Sequence, residues 1–464
     1  VTSILPETTT AENKSASHVE NFFKEHMLGQ TLKKSNFTKQ KGFACKDLLQ
    51  FLVSLVFMGK NLWRYLDSDN GAFPFQKDAV YRFLNNCCYN WRKLLLLLGS
   101  QIIQTRIVPL TDEKRVNVFI IDDSLFSRSR SKAVELLARV YDHVEHKYVR
   151  GFRMLTLGWS DGNTFLPLAF SLLSSENEAN RLQGVNSSVD KRTNGYKIRK
   201  EAIRKSTDVL LDLLKQAKAY IVPASYLLFD SWFAFPAVIK KVREQKLHTI
   251  CMLKSMRRVY YEYQGQKLTL NKLYAAVRKK RGRAKILASI LVGIGQLDNG
   301  EQVMVRIVFV RNRRDRKKWL ALLSTDTELP DEEVVRIYGK RWSIEVFFKM
   351  SKSYLRLAKE FQGRSYDSMV ARTAIGFIRY IMLALESRNG EDPRTIGGLF
   401  YSCCDELQDI SLVEALQKLL SLLEQFLNEQ LQLAEDEIRK LIDYLISNLP
   451  SFFKERLAVC FCES

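Results

Sequence analysis

The chain has 464 residues, 46% hydrophobic and 27% charged, enough apolar surface for roughly two to four packed domains and too much for a disordered protein. Its 72 Lys and Arg against 51 Asp and Glu leave a formal charge of +21, which points to a polyanionic partner, nucleic acid first, over a merely soluble basic protein. The eight cysteines fit neither a zinc ribbon nor a disulfide framework. Cys87–Cys88 and Cys403–Cys404 are adjacent, Cys460 and Cys462 flank Phe461, Cys45 and Cys251 stand alone, and no Cys-x-x-Cys occurs.

Residues 1–14 are polar, and Ser17-x-x-Glu20 is a capping box for a helix through about Met27. The apolar stretch Phe43 to Met58 reads as a buried helix. A turn-rich stretch, Asp67–Pro74, precedes helices from about Asp78 to Asn85 and from Trp91. Together they form a helical region, 1–105, a candidate DNA-binding domain with Arg82, Arg92 and Lys93 as phosphate contacts, or else an ordinary helical bundle. The apolar run Leu94 to Ile103, interrupted by Gly99, Ser100 and Gln101, is shorter than the ~20 residues a membrane span needs. With no basic-then-apolar leader at Val1–Pro6, the expectation is a soluble cytoplasmic protein without membrane contact.

The periodicity then changes. Val116 to Ile121 reads as a buried strand ending at Asp122. Gly151–Trp159 and Thr164–Leu173 read as a hairpin about the Asp161-Gly162-Asn163 turn. A polar loop, 174–194, leads to a helix over Lys197–Ala219. The strand Tyr226–Phe229 ends at Asp230, a helix starts at Pro236, and His248–Leu253 is a further strand. Three antiparallel strands followed by αβαβ is the order of an RNase H-like domain, and other α/β folds share parts of it.

From 254 to 325 the chain is strand-rich, with Ala284–Ile294 and Val303–Val310 the clearest strands. Residues 270–320 hold 14 Lys and Arg against three Asp and Glu, about half of the chain's excess charge. The clusters Arg278–Lys285 and Arg311–Lys318 read as a phosphate-binding surface or as solvated loop tips. Pro330-Asp331-Glu332-Glu333 opens a long helix with acids in its first turn. Further helices run over Ser365–Ser387 and from Ser411 onward. The leucines of Leu412–Leu445 suit packing, or a dimer zipper.

On the helix after 330, Tyr338, Arg341, Glu345 and Lys352 fall within about 60° of one another at ~100° per residue, while Val335, Ile337, Val346, Phe347 and Phe348 take most other directions. The stripe is either solvated, with an Arg341–Glu345 ion pair, or lines a site. Asp122 and Asp230, each expected at the end of an apolar strand, favour a site. Three converging carboxylates can hold hard cations, and two Mg²⁺ ions, with Mn²⁺ as substitute, would serve in-line phosphoryl transfer. Asp123 adjoins Asp122 and is the alternative ligand.

The pattern Tyr338-x2-Arg341-x3-Glu345-x6-Lys352 resembles the Tyr-Arg-Glu-Lys signature of the insertion-sequence-four family of DDE transposases. Ile121-Asp122-Asp123-Ser124 resembles its first-aspartate motif and Phe229-Asp230-Ser231-Trp232-Phe233 its second. The resemblance spans about 110–385. It implies an α/β fold: an RNase H-like catalytic core (106–253 and 326–389), a basic β-rich insertion (254–325) and flanking helical regions (1–105 and 390–464). It implies that Asp122, Asp230 and Glu345 are catalytic and bind metal. Tyr338, Arg341 and Lys352 would grip DNA phosphate, and Trp319, the only Trp of the insertion, would receive a flipped base.

The activity implied is metal-dependent cleavage at transposon ends and strand transfer, cut-and-paste through a hairpin intermediate. The partners would be the terminal inverted repeats and target DNA, bound by a homodimer in a prokaryotic nucleoid. The competing readings are a non-transposing nuclease on the same fold and an inactive, domesticated DNA-binding protein.

Overall fold

The computed structural model describes residues 17–59, 62, 77–110, 112, 115–142, 145–280, 284–312, 315, 318–357, 363–389, scattered positions between 396 and 427, and 435–448. Outside the described residues lie the polar start of the chain, the turn-rich Asp67–Pro74, residues 281–283, 313–314 and 316–317 of the two basic clusters, Cys460 and Cys462, and half of Leu412–Leu445. The six described cysteines are free thiols.

The first helix, α1 (His18–Glu25), begins where the sequence places it: the Ser17 hydroxyl accepts the Glu20 N–H at 3.2 Å. Then come α2 (Leu28–Lys34), α3 (Cys45–Ser54), α4 (Lys77–Leu84) and α5 (Trp91–Ile102). Asn90 caps α5, its side chain accepting from Lys93 N–H at 2.9 Å. Arg92 corrects an expectation. Its guanidinium turns inward to Glu201 (2.8 Å) and the Phe170 carbonyl (2.9 Å), so it ties α5 to the core and is no surface phosphate contact.

The centre is one eleven-stranded sheet. The strand β1 (Val118–Ser127) pairs antiparallel with β3 (Lys147–Ser160) and parallel with β5 (Tyr226–Phe229), which pairs parallel with β6 (His248–Leu253). Long β3 shares its outer edge between β2 (Ala138–Asp142) and β4 (Phe165–Leu173). The order β4-β3-β1-β5-β6, with only β3 antiparallel to β1 and the last two strands parallel to it, is the RNase H-like arrangement. The β3–β4 turn uses Gly162 at φ +102°, where a side chain would be strained and would press on Lys340.

Helices α6 (Asn194–Ala202), α7 (Ser206–Ala219) and α8 (Pro236–Glu244) fill the crossovers. The segment read as 197–219 is two helices. The strand-rich segment adds β7 (Tyr261–Tyr263), β8 (Gln266–Leu268), α9 (Leu270–Ala276), β9 (Ile286–Gln296), β10 (Gln302–Arg311) and β11 (Trp319–Ser324). These strands do not form a sheet of their own. Antiparallel β11 joins β6, and β10, β9, β7 and β8 follow, so they prolong the core sheet.

After the sheet come α10 (Asp331–Gly339), α11 (Trp342–Ser353), α12 (Tyr366–Asn389) and α13 (Glu435–Asn448). The stretches Trp91–Leu110 and Tyr366–Arg388 are each long and apolar enough to cross a membrane, contrary to the shorter run read from sequence. Residues 366–385 are all buried in the fold and the most apolar window of 91–110 is half buried, and α12 packs on α3, α5 and β4 as the central helix of that layer. Buried Arg379, 1% exposed, donates to the Val53 carbonyl at 3.1 Å, to Leu355 O at 3.4 Å and to Leu52 O, satisfying the end of α3.

Candidate active site

Val118 to Ile121 are fully buried because β1 is central and covered on both faces. The strand does not stop at Asp122, as the sequence suggests, but runs on to Ser127, so Asp122 sits in mid-strand. The parallel register pairs Val118 with Tyr226 and Ile120 with Leu228. Asp230 is the first residue after β5, and it lies close enough to Asp122 for its charge to raise the Asp122 carboxyl.

The register also separates Asp122 from Asp123. Successive strand residues face opposite sides, and Asp123 is held by Arg153, Nε at 2.8 Å and Nη2 at 2.7 Å on its two oxygens. Asp122 instead meets Arg341, whose Nη1 lies 2.8 Å from Oδ2. Nη2 of the same guanidinium lies 3.1 Å from Glu345 Oε1. One cation therefore bridges the strand carboxylate and the helix carboxylate.

The helix carrying this stripe is not continuous. It tightens at Lys340–Arg341, between α10 and α11, where Arg341 N–H bonds to Tyr338 O and Ile344 N–H to Arg341 O. Lys340 locks the turn by donating to the carbonyls of Val116 and Asp161. Tyr338, the penultimate residue of α10, has a buried hydroxyl without a hydrogen-bond partner, its ring 6.0 Å from the Arg341 guanidinium carbon. Lys352, the penultimate residue of α11, is exposed and donates to Ser124 Oγ at 2.6 Å.

Burial dominates the electrostatics. Asp122 is 8% exposed, and burial pushes its carboxyl from 3.8 to about 7; Arg341 opposes this, while Asp230, Asp123 and Glu345 add to it. Asp230 is also raised, by burial first, with Asp123 and Glu345 adding and the Trp232 N–H and Arg341 opposing. That N–H donates to Asp230 Oδ1 at 2.9 Å. Burial raises Tyr338 as well.

The donor set suits hard divalent cations: carboxylate oxygens from β1, the residue after β5 and α11, carrying more negative charge than Arg341 neutralises. Among the described residues no three ligating side chains already converge on one point. Arg341 lies between Asp122 and Glu345 and holds the two carboxylates together.

Trp319 lies at the same end of the sheet. Asp230 is level with Met252, Met252 pairs with Leu322, and Trp319 is three residues further on, which places it roughly 14 Å from Asp230. It is stacked on Tyr274 (4.5 Å) and edge-on to Phe309 (5.2 Å). Sequence reasoning passed over Trp232 and Trp342, 52% and 65% exposed and within three residues of Asp230 and Glu345. Arg153, which also lies over the Trp232 ring at 5.7 Å, was missed too. The signal for both tryptophans was an aromatic inside the very motifs that hold the acids.

A family model described as DDE superfamily endonuclease matches residues 63–285, which include Asp122 and Asp230. A second, described as transposase DDE domain, matches residues 190–382, which include Asp230 and Glu345. No curated protein matches the chain in sequence. Among solved structures, the piggyBac transposase synaptic complex with hairpin DNA is 13% identical and covers 86% of this chain and 81% of its own, at a TM-score of 0.45. From residue 63 to residue 382 the chain is thus similar to the DDE-domain endonucleases and transposases.

Proposed function

We propose that the chain is a DNA transposase of the insertion-sequence-four kind, cleaving at the ends of a mobile element and joining them to target DNA. One observation carries the reading: Arg341 bridges Asp122 of β1 and Glu345 of α11, and Asp230 follows directly on β5, the parallel neighbour of β1. The two DDE matches cover these residues between them.

In this reading Asp122, Asp230 and Glu345 hold two divalent cations, Mg²⁺ or Mn²⁺. Such ions, when bound, activate the attacking oxygen and stabilise the leaving one in an in-line displacement. Freed from the carboxylates, Arg341 turns its planar donors to a phosphate, and Lys352 offers a point charge beside it. Tyr338, expected to grip phosphate as well, has a buried hydroxyl and backs Arg341 instead, its ring 6.0 Å from the guanidinium carbon. Trp319 would have to leave its stack on Tyr274 to receive a flipped base, whereas Trp232 and Trp342 already present open faces. A hairpin intermediate, a homodimer on the two ends and work at the nucleoid complete the proposal.

Replacing Asp230 with Ala abolishes cleavage of DNA carrying the element's flanking inverted repeats and leaves binding largely intact; undiminished cleavage sinks the assignment. A 3′-hydroxyl end that is joined to a second duplex distinguishes a transposase from a nuclease that only hydrolyses.

A further inference from the structure

A groove of about 670 Å³ opens between α4, the residues that follow β1 and those that precede α12. Lys77, Arg128, Arg130, Lys132 and Arg364 line it, with Tyr81 among them, and none of its described lining residues is acidic. Arg130, Lys132 and Arg364 are exposed. Cations gathered in a concavity whose described lining carries no carboxylate focus a positive potential on whatever enters it.

Strand β1 links this groove to the carboxylates. Asp122 and Arg128 are six residues apart, about 20 Å at strand rise. Between them Lys352 rests on Ser124. Arg341 at Asp122, Lys352 at Ser124 and Arg128 at the groove thus form a line of cations along one strand. Six base pairs of duplex rise about the same 20 Å. The lining suits phosphate more than base edges, since its charged groups are all Lys and Arg. A single-strand channel would offer a series of stacking aromatics, and here Tyr81 is the only one among the described lining residues.

We propose that this groove receives the sugar-phosphate backbone of duplex DNA about six base pairs from the phosphate that Asp122, Asp230 and Glu345 address. The spacing rests on the transposase reading; the binding itself does not. The contact is independent of base sequence and holds the duplex in line with the site.

The test combines Arg130→Ala, Lys132→Ala and Arg364→Ala in the full chain. The probe is a random-sequence duplex of about 30 base pairs, followed by fluorescence anisotropy in EDTA from about 50 to about 200 mM KCl. Losing three phosphate contacts makes the slope of log affinity against log salt shallower by about 2.7 and weakens binding at least about tenfold. The melting temperature, read in parallel, stays within a few degrees of the parent. A comparison variant removes exposed Lys215, Lys241 and Lys246 instead and keeps the parent slope. An unchanged slope in the groove variant, or an equal loss in the comparison variant, overturns the proposal. So does a loss confined to an RNA hairpin probe.

Because EDTA suppresses cleavage, this result stands or falls apart from the Asp230→Ala assay. A photoreactive group on Lys132→Cys then tests the spacing. Crosslinks centred about six base pairs from the cleaved phosphate support it, and crosslinks scattered along the duplex overturn it.

Discussion

Substituting Asp122 with Asn isolates the cost of burying that carboxylate. Without cations it titrates near 7, where an ordinary aspartate titrates near 3.8. A folded-state pKa above the unfolded one stabilises the fold below the unfolded value, and that contribution is lost as pH rises through 7. At about pH 8 the difference amounts to about 4 kcal/mol against folding, at 1.36 kcal/mol per pKa unit. Asparagine keeps an oxygen for Arg341 Nη1 but gives it a weaker bond. Asp122→Asn should therefore stabilise the metal-free protein by about 2–4 kcal/mol at about pH 8 and by about 2–3 kcal/mol less at about pH 5. Urea unfolding in a chelating buffer at the two pH values measures both, since other titrating groups cancel in the difference. Destabilisation by Asn at the higher pH, or a difference independent of pH, would refute the burial argument. On the proposed function the same substitution should remove DNA cleavage, so that stability and activity move in opposite directions.

Other parts of the fold give equally direct expectations. Glu135 accepts from Arg199 Nε at 2.7 Å and Nη2 at 2.8 Å, and its carboxyl is lowered although burial works against that. A depressed carboxylate stabilises above its unfolded pKa and loses that as pH falls through the folded one. Glu135→Gln should thus cost about 2–4 kcal/mol at neutral pH, and less under acid, by calorimetry or denaturant titration. Arg379→Met strands the carbonyls of Leu52, Val53 and Leu355 and should cost about 3 kcal/mol in urea unfolding, with a cost under about 0.5 kcal/mol contradicting the capping role. Trp342→Ala should leave stability within about 0.5 kcal/mol because the ring is exposed, yet slow cleavage about tenfold or more; an unchanged single-turnover rate removes Trp342 from the site.

Elements with strong local patterns were legible in the sequence. His248–Leu253 and Tyr226–Phe229 are the strands their apolar runs announce, and Ser17 caps the helix its spacing announces. What failed depended on distant partners. Nothing near Arg92 indicates that Glu201 awaits it across the core. The strand β2 escaped notice because it is only five residues long and its alternation, Ala138 and Val140 in and Arg139 out, fades at Tyr141 and Asp142; it exists by pairing with the start of β3. Asp122 looked like a strand end because polar residues follow it, although Leu125 and Phe126 resume the apolar pattern and carry β1 onward. The tightened turn at Lys340–Arg341 did have a local signal in Gly339, which ends α10. For the site, the spacing brought Glu345 and Arg341 together correctly, but only register set Asp122 apart from Asp123. The structural role of Arg153 required knowing that β3 lies beside β1.

Iron-directed cleavage of the polypeptide tests most directly whether Asp122, Asp230 and Glu345 share bound cations. Fe²⁺ supplied in place of Mg²⁺, with ascorbate and peroxide, releases hydroxyl radicals that cut backbone close to the ion. The account predicts cuts within a few residues of Asp122, Asp230 and Glu345 together, suppressed by excess Mg²⁺ and absent from Asp230→Asn. Cuts confined to other segments, or an unchanged pattern in Asp230→Asn, would contradict it.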